Sequence, residues 1–454
     1  MDEVSNLTGP KEVEAVITPL KKIRVEAYGC SANVADSEII KGILMNNGFT
    51  ITEDKDESNL EILVTCAVKD TTEHKMIARI AKSAKTSKPL VVAGCLAKTS
   101  RELIRDYSPK ASLLGPNSLD KTLEIVQGTF RGARLVALED SVLDKVNLPR
   151  YRVNRAVGIV EIASGCMSDC SFCQTKIAKG NLRSYRIGDI IREIKTDLRE
   201  GCKEIWITST DTGCYGFDIG SDITELVEEC CEIEGDFKLR IGMMNPMYLS
   251  KYFDKLVSLY KNNTKIYKFI HIPVQSGSNA VLRQMKRGHN SLTFKNFISK
   301  IRTLIPEMTI ATDIICGFPT ELEEDFLDTL NLLHETMPDM VNLSKYASRP
   351  GTLASKMKKL DSGTIKLRSS MLHEYIRKIS YFRNKLWVGW EGNILIDQVI
   401  DNDIIQGRNY AYKPVLLKDK VLNLSKNEIL GREIKIKVTG SSRYSLRGEV
   451  FDYS

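Results

Sequence analysis

The strongest constraint on the fold of this chain is a repeated alternation of short apolar segments with helical patterns. In the first part of the chain, strands are predicted at 23–28, 60–65, 89–93 and 111–114, with helices at 34–46, at 69–82 and from residue 99. Such alternation is typical of a parallel sheet with helices on its faces. We therefore expect an N-terminal α/β domain over residues 21–132, which follows a flexible segment over residues 1–20.

A second and longer alternation follows a linker at 133–151. Its predicted strands lie at 158–163, 204–209, 238–243, 265–272, 308–316 and 340–346. Six strand–helix units are fewer than the eight of a closed barrel, so residues 152–384 are predicted to form a partial (βα)6 barrel. Residues 385–450 change to short strands at 394–400, 414–417 and 434–438, which predicts a small β-barrel or sandwich.

Composition limits the class of protein. Hydrophobic residues make up 42% and charged residues 27% of the chain, so a normal packed core is possible. The sequence has neither a long apolar run nor a secretion signal, so we expect a cytoplasmic protein without membrane association. Eleven cysteines in such a chain indicate metal ligands or packing residues rather than a disulfide framework. The net charge of +7 is compatible with nucleic-acid binding.

The sharpest chemical signal is a group of three cysteines, Cys166, Cys170 and Cys173, just after the first strand of the second series. Three thiolates at this spacing can ligate three irons of a [4Fe–4S] cluster and leave the fourth iron without a protein ligand. An open iron can bind the amino and carboxylate groups of S-adenosylmethionine, whose sulfonium bond is then cleaved by electron transfer. We predict these cysteines as the catalytic cluster ligands.

A zinc site is the alternative for the same loop. Structural zinc usually has four ligands, often as two Cys-x-x-Cys pairs. No fourth cysteine or histidine follows nearby, so the iron–sulfur interpretation is favoured over a zinc-containing RNA-binding protein without catalysis.

The cysteine spacing, with Phe172 before the last cysteine, resembles the radical S-adenosylmethionine superfamily. The wider context resembles the methylthiotransferases, and the segment 180–220 is most similar to their archaeal and eukaryotic branch. The segments that support this are 164–185, 204–213, 271–276, 311–321 and 349–352. The resemblance covers about residues 21–450, nearly the whole chain.

The resemblance implies three parts: an N-terminal cluster domain, a radical core and a small RNA-binding β-barrel called TRAM. It also implies a second [4Fe–4S] cluster, on Cys30, Cys66 and Cys95. Each of these cysteines directly follows a predicted strand, so the thiols meet at one sheet edge if the strands are neighbours. In the family, the core cluster generates a 5′-deoxyadenosyl radical, and the N-terminal cluster holds the sulfur. A second S-adenosylmethionine supplies the methyl group.

Several further residues fall at or beyond predicted strand ends. S-adenosylmethionine and the target base are expected there, because active sites of such barrels lie at the carboxyl ends of the strands. The candidates for cofactor binding are Arg183, Thr210, Asp211, His271, Gln275 and Gly317. Arg183 is a candidate partner for a cofactor carboxylate or a phosphate. The alternative is that these residues only build loops or lie in solvent. The remaining cysteines are predicted to be packing residues: Cys202, Cys214, Cys230, Cys231 and Cys316.

The C-terminal segment is basic. Residues 405–447 contain ten Lys or Arg and three Asp or Glu, with Tyr410, Tyr412 and Tyr444 interleaved. Basic and aromatic residues on a β-barrel suit phosphate contacts and base stacking. The predicted RNA-binding residues are Arg408, Lys413, Lys435, Lys437 and Arg443. A basic solvated face without a partner is the alternative.

The resemblance implies a tRNA methylthiotransferase that converts N6-threonylcarbamoyladenosine at position 37, beside the anticodon, to its 2-methylthio derivative. Alternatives within the family are isopentenyladenosine in tRNA or an aspartate of a ribosomal protein. Expected cofactors are two [4Fe–4S] clusters and S-adenosylmethionine. Expected partners are tRNA and an electron donor such as a flavodoxin or ferredoxin, with an unknown sulfur source, and the protein is expected to be a monomer.

Overall fold

The computed structural model describes residues 21–66, 70–141, 144–401, 404–418 and 425–450. The segment 1–20, expected to be flexible, lies outside the described residues. The N-terminal strands are β1 (Lys22–Ala27), β2 (Thr50–Ile51), β3 (Leu60–Thr65), β4 (Leu90–Gly94), β5 (Ser112–Leu114) and β6 (Val136–Ala137). The helices are α1 (Ser31–Asn46), α2 (Asp70–Ala84), α3 (Cys95–Thr99), α4 (Arg101–Tyr107) and α5 (Thr122–Phe130).

These six strands form one parallel sheet in the order β2-β1-β3-β4-β5-β6. The predicted parallel sheet is therefore confirmed. The central strands β3 and β4 are buried along their whole length, as expected where helices cover both faces. The sequence missed the two-residue edge strands β2 and β6. Because β6 pairs with β5, the sheet extends beyond the expected limit at residue 132 into the predicted linker.

The second series forms an open parallel barrel. Its strands are β7 (Val157–Glu161), β8 (Ala163–Ser164), β9 (Arg183–Ser184), β10 (Glu204–Thr208), β11 (Lys238–Ile241), β12 (Phe269–His271), β13 (Thr309–Cys316) and β14 (Met340–Lys345). Its helices are α6 (Gln174–Lys179), α7 (Ile187–Arg199), α8 (Ile223–Glu232), α9 (Pro246–Leu249), α10 (Phe253–Asn262), α11 (Asn279–Gln284), α12 (Ser291–Leu304), α13 (Glu323–Thr336) and α14 (Ser362–Lys385).

Six of these strands pair in parallel as two groups of three, β7-β10-β11 and β12-β13-β14. A single bridge between Leu239 and Ile266 joins the two groups. The main apolar core lies between these strands and the outer helices. The partial barrel of six strand–helix units is confirmed, and β8 and β9 form a separate antiparallel pair beside the cysteine loop.

The C-terminal segment is a closed five-stranded barrel in the order β15-β16-β17-β19-β18. Its elements are β15 (Glu391–Val399), β16 (Ile404–Arg408), β17 (Pro414–Lys418), α15 (Lys426–Ile429), β18 (Glu433–Ser441) and β19 (Leu446–Val450). The predicted β-barrel is confirmed, and β16 and β19 are strands that the sequence patterns missed. None of the described helices combines the length and apolarity needed to cross a bilayer.

Both smaller domains pack on the open barrel. Helix α1 packs against the edge strand β7, and Arg349, beyond β14, forms an ion pair with Glu73 of α2. The N-terminal domain thus contacts both ends of the open strand series. The C-terminal barrel contacts the core through its β16–β17 turn. This turn places the Tyr412 ring between those of Tyr267 and Phe269, with its centroid 4.9 Å from each of theirs. This turn closes the barrel at the amino ends of its strands.

Candidate active site

The three N-terminal cysteines lie at the carboxyl ends of β1, β3 and β4, which are neighbours in the sheet. The thiols of Cys30 and Cys66 are hydrogen-bonded, and this bond lowers the pKa of Cys30 to about 6. Burial raises the pKa of the Cys95 thiol to about 12, and the nearby charge of Cys30 acts in the same direction. The fold therefore brings the three thiols together at one edge of the sheet.

Gly29 and Asn33 hold this edge in place. Gly29 has a φ of +111°, and a Cβ at this position would lie 2.3 Å from the Cβ of Cys66. The close approach of the two loops therefore requires glycine. The amide of Asn33 donates to the carbonyl of Tyr28 at 2.9 Å and to that of Thr65 at 2.7 Å. These bonds tie the loop after β1 to the end of β3.

The core loop begins after β8. The Cys166 sulfur accepts a hydrogen bond from the Ser168 N–H at 3.3 Å, and the Cys170 sulfur accepts one from the Arg287 guanidinium at 3.4 Å. The Cys173 N–H donates to the Cys170 carbonyl at 3.1 Å, which closes the turn. Donors at sulfur favour the thiolate form that ligates iron. Sequence reasoning missed Arg287, which lies more than one hundred residues away along the chain.

Cys214 was predicted to be a packing residue, but its sulfur lies in the site. Among the described residues, the ligand atoms of Cys166, Asp211 and Cys214 lie within 4.8 Å of one another. One Asp211 oxygen already accepts the N–H groups of Gly213 and Asn245, both at 3.0 Å. Asp211 thus joins the loops after β10 and β11, which is a structural role. A hydrogen bond to Cys166 raises the pKa of the Cys214 thiol.

The two cysteine groups face each other across two short helices. Helix α3 begins at Cys95, helix α6 begins just after Cys173, and the two helices pack together. Cys95 contacts Ala178 within this interface. Beside it, the hydroxyls of Ser31 and Thr208 are 3.1 Å apart, which joins the loop after β1 to the end of β10. Both cysteine groups therefore border the packed helices α3 and α6.

Four buried charges lie in the same interface. Lys145 contacts Asp36 at 2.7 Å and Glu161 at 2.8 Å, and Lys179 contacts Glu161 at 2.6 Å. Burial alone would raise the pKa of Glu161, but the two ammonium groups lower it to about 2. Burial raises the pKa of Asp36. This network joins the N-terminal domain, the linker and the barrel, and sequence patterns did not indicate it.

Unpartnered polar atoms beyond the strand ends fit a polar cofactor. The hydroxyl oxygens of Ser209 and Thr210 and the side-chain oxygen of Gln275 are buried and have no hydrogen-bond partner among the described residues. Gln275 has a φ of +78°, and its backbone bonds to β13 on both sides. Buried polar atoms are normally paired, so these three suit a bound S-adenosylmethionine.

His271 belongs to a polar row across three parallel strands. Its Nε2 is 3.0 Å from the Asp313 carboxylate, and the Asn342 amide donates to the same oxygen at 2.8 Å. The residues come from β12, β13 and β14, and the bonded Asp313 and Asn342 are register partners. The row lies on the strands and does not belong to either cysteine group. The sequence indicated His271 but neither of its partners.

The last two predicted cofactor residues already have protein partners. The Gly317 N–H donates to both carboxylate oxygens of Glu321 at 3.2 Å, which organises the loop after β13. Arg183 donates to the Ser141 carbonyl and lies 3.3 Å from the Asp144 carboxylate. Both residues therefore build loops around the site in this structure.

Two of the predicted RNA-binding residues are held by ion pairs within the protein, and for the buried Lys413 this corrects the expectation. The Lys413 side chain is 2% exposed, and its Nζ lies 2.9 Å from Asp339 and from the Asn384 amide oxygen. Arg408 bonds to Asp397 at 2.8 Å and stacks on Tyr412. Lys413 is buried because the β16–β17 turn docks on the core, whereas Arg408 pairs within the C-terminal barrel with Asp397 of β15.

The other predicted RNA-binding residues are on the surface. Lys435 and Lys437 are exposed on β18, and Lys437 pairs with Glu391 at 2.9 Å. Arg443 lies over the ring of Tyr444 at 4.1 Å, and Tyr444 is 70% exposed. The small barrel therefore exposes three cations, Lys435, Lys437 and Arg443, together with the Tyr444 ring.

Comparisons with known proteins agree with this architecture. The model of the radical SAM superfamily matches residues 160–333, and that of "Uncharacterized protein family UPF0004" matches residues 22–115. The solved structure of a radical S-adenosylmethionine methyltransferase, TsrM from Kitasatospora setae, shares the fold with a TM-score of 0.53, at 12% identity over 74% of each chain. The fold and the cysteine site together define a radical S-adenosylmethionine enzyme.

Whole-chain relatives narrow this class. A Pyrococcus horikoshii protein is 38% identical, over 88% of this chain and 94% of its own length. A Homo sapiens protein is 32% identical, over 96% of this chain and 75% of its own length. Their names are "Probable threonylcarbamoyladenosine tRNA methylthiotransferase" and the same name without the first word. The chain belongs to the threonylcarbamoyladenosine tRNA methylthiotransferase family.

Proposed function

We propose that this protein inserts a methylthio group at C2 of N6-threonylcarbamoyladenosine, at position 37 of tRNA, by radical S-adenosylmethionine chemistry. The supporting observation is the pairing of two cysteine groups at strand ends across the packed helices α3 and α6. C2 of adenine carries an unactivated C–H bond that polar acid–base chemistry does not readily replace. A radical centre beside a sulfur-bearing centre suits this replacement.

Each cysteine group has its own role in the proposal. Cys166, Cys170 and Cys173 hold the radical cluster, with N–H donors from Ser168 and Arg287 on two of the sulfurs. The second group, Cys30, Cys66 and Cys95, holds the other cluster at the edge of the N-terminal sheet. When bound, the clusters and S-adenosylmethionine supply a carbon radical, a sulfur atom and a methyl group.

The chain's own side chains position the substrates. The unpartnered oxygens of Ser209, Thr210 and Gln275 hydrogen-bond S-adenosylmethionine beyond β10 and β12. His271 is proposed to contact the cofactor or the base from the polar row. Asp211 and Gly317 act by holding their loops, and Arg183 by anchoring β9 to the linker.

The tRNA contacts are assigned to the exposed face of the C-terminal barrel. Lys435, Lys437 and Arg443 are proposed to contact phosphates, and Tyr444 to stack on a base. Arg408 and Lys413 are not included, because Lys413 is buried against Asp339 of the core and Arg408 pairs with Asp397 within the C-terminal barrel.

Iron counting on the full chain tests the two assignments separately. The protein purified anaerobically should hold about eight irons per chain, from two four-iron cubes. Replacing all three cysteines of either group with alanine should leave about four irons. Cys202→Ala, a buried cysteine in neither group, is the matched control and should keep the full count. One zinc and no iron would contradict the proposal.

Nucleoside mass spectrometry tests the substrate. Host tRNA should lose the 2-methylthio nucleoside when the core triple variant replaces the wild-type gene. The N-terminal triple variant should still cleave S-adenosylmethionine but should yield no methylthio product. Persistence of the modification in a deletion strain would refute the substrate assignment.

The remaining partners are also proposals. A flavodoxin or ferredoxin supplies electrons, and the enzyme acts as a cytoplasmic monomer. All eleven cysteines lie in the described part of the chain and none forms a disulfide there, which suits a reducing compartment. Size-exclusion chromatography with light scattering tests the monomer.

A further inference from the structure

Lys179 is a buried cation beside the second cysteine group, and the proposed chemistry leaves it without a role. It is the last residue of α6 and is 4% exposed. The preceding residue, Ala178, packs directly on Cys95 where α6 meets α3. Glu161 fixes the Lys179 ammonium by a contact of 2.6 Å. The charge therefore has a set position and is shielded from water.

Lys179 acts electrostatically on the neighbouring thiols. Burial alone would lower the pKa of Lys179, but Glu161 and Asp36 raise it well above its ordinary value, so the side chain stays charged. Because Lys179 directly follows Ala178, which contacts Cys95, the Lys179 charge lies beside the sulfurs of the second cysteine group. A cation in this place favours negative charge on the ligand sulfurs.

We propose that Lys179 is a positioning residue that raises the reduction potential of the cluster on Cys30, Cys66 and Cys95. The inference rests on the assignment of these three cysteines under the proposed function. Reduction adds one electron from the reductant to the cluster and breaks no bond. A fixed positive charge in a low-dielectric interface stabilises the more negative, reduced state over the oxidised state.

Replacing Glu161 should shift the reduction potential in the direction opposite to replacing Lys179. Its carboxylate bonds to Lys179 and Lys145 and opposes both of their charges. A neutral amide at position 161 leaves the ammonium groups less compensated. Glu161→Gln should therefore raise the potential, whereas Lys179→Met should lower it.

The experiment uses the full chain with Cys166, Cys170 and Cys173 changed to alanine, so that one cluster remains. The reconstituted protein is titrated with dithionite and followed by electron paramagnetic resonance. Lys179→Met should decrease the reduced-to-oxidised ratio about tenfold at a given potential, a shift of about 59 mV for one electron. Lys179→Arg should restore most of this shift, because it keeps the charge.

Lys98→Met is the matched control. Lys98 lies on α3 three residues after Cys95, but it is partly exposed and pairs with Asp140 at 2.7 Å. Water and salt screen its charge, so the ratio should change less than about twofold. Equal shifts in Lys98→Met and Lys179→Met would overturn the proposal, because net charge alone would then explain them.

The other outcomes are also decisive. If the parent lacking the core cysteines binds no iron, the cysteine assignment itself is wrong. If it binds about four irons and Lys179→Met leaves the potential unchanged, only the role of Lys179 is refuted. If Lys179→Met does not assemble a cluster, Glu161→Gln becomes the test of the proposal. An unchanged or lower reduction potential in that variant would contradict it.

Discussion

Asp339 provides the most direct test of how the C-terminal barrel is joined to the core. Its side chain is 1% exposed and lies between three cations: Arg302 at 2.6 Å, Arg383 at 3.1 Å and Lys413 at 2.9 Å. Burial alone would raise the pKa of Asp339, but these cations hold it well below its ordinary value. Asp339→Asn keeps the shape of the side chain and leaves the buried Lys413 and the partly buried Arg302 and Arg383 without their anion.

The expected loss in the free energy of unfolding is about 3–5 kcal/mol, the usual cost of removing one partner from a buried ionic group. Urea unfolding followed by tryptophan fluorescence measures it as a shift of the transition midpoint. The chain has three tryptophans, and all lie at this junction. Trp206 packs with Tyr412, and Trp387 and Trp390 contact the Tyr410 ring.

Glu391→Gln is the control, because Glu391 pairs with Lys437 on the surface with both side chains about half exposed. It should cost less than about 1 kcal/mol. If Asp339→Asn lowers the free energy of unfolding no more than Glu391→Gln does, then Asp339 does not hold the C-terminal barrel on the core. The pH dependence gives a second check. Since the pKa of Asp339 is lowered by folding, its contribution is complete above about pH 3.9 and is lost as the pH falls through the folded value.

Glu204, Arg443 and Gly29 provide three further tests. Burial raises the pKa of Glu204 to about 7, so the free energy of unfolding should fall by about 3 kcal/mol as the pH rises from 4.5 to 7. In urea unfolding curves, Glu204→Gln should reduce this dependence on pH. In filter-binding assays, Arg443→Ala should weaken tRNA binding and reduce the slope of log affinity against log salt concentration by about one, whereas Arg408→Ala should leave that slope unchanged. Equal effects of the two substitutions would contradict the assignment of Arg443 to the tRNA-binding surface. Gly29→Ala should remove about four irons by displacing Cys66, and an unchanged iron count would show that the loop tolerates a side chain.

The positions of the cysteines were predictable because they depend on local sequence. Each N-terminal cysteine follows a buried apolar strand, and parallel strands end at the same sheet edge. The missing step was strand order, and the order β1-β3-β4 makes the three strands neighbours. The core loop needed less, since its three cysteines lie within eight residues.

The basic tail shows where local reasoning failed. Composition gave every cation of residues 405–447 the same status, but Lys413 binds Asp339 on the core and Arg408 binds Asp397 on a neighbouring strand of its own barrel. Lys435 and Lys437 alternate with the apolar Ile434, Ile436 and Val438 along β18, and strand alternation by itself predicts that the two lysines face outwards. The β16–β17 turn has no such period, so only its docking decides which side chains are buried.

The sequence alone determined the types of element, the open parallel barrel and the six cysteines at strand ends, because these depend on hydrophobic period and short-range spacing. The tertiary structure decided which charges are buried and with which partners. Lys145 reaches Asp36 across 109 residues, and Lys413 reaches Asp339 across 74. A charged side chain looks the same in sequence whether it faces water or a buried counter-ion, and only packing between domains separates the two.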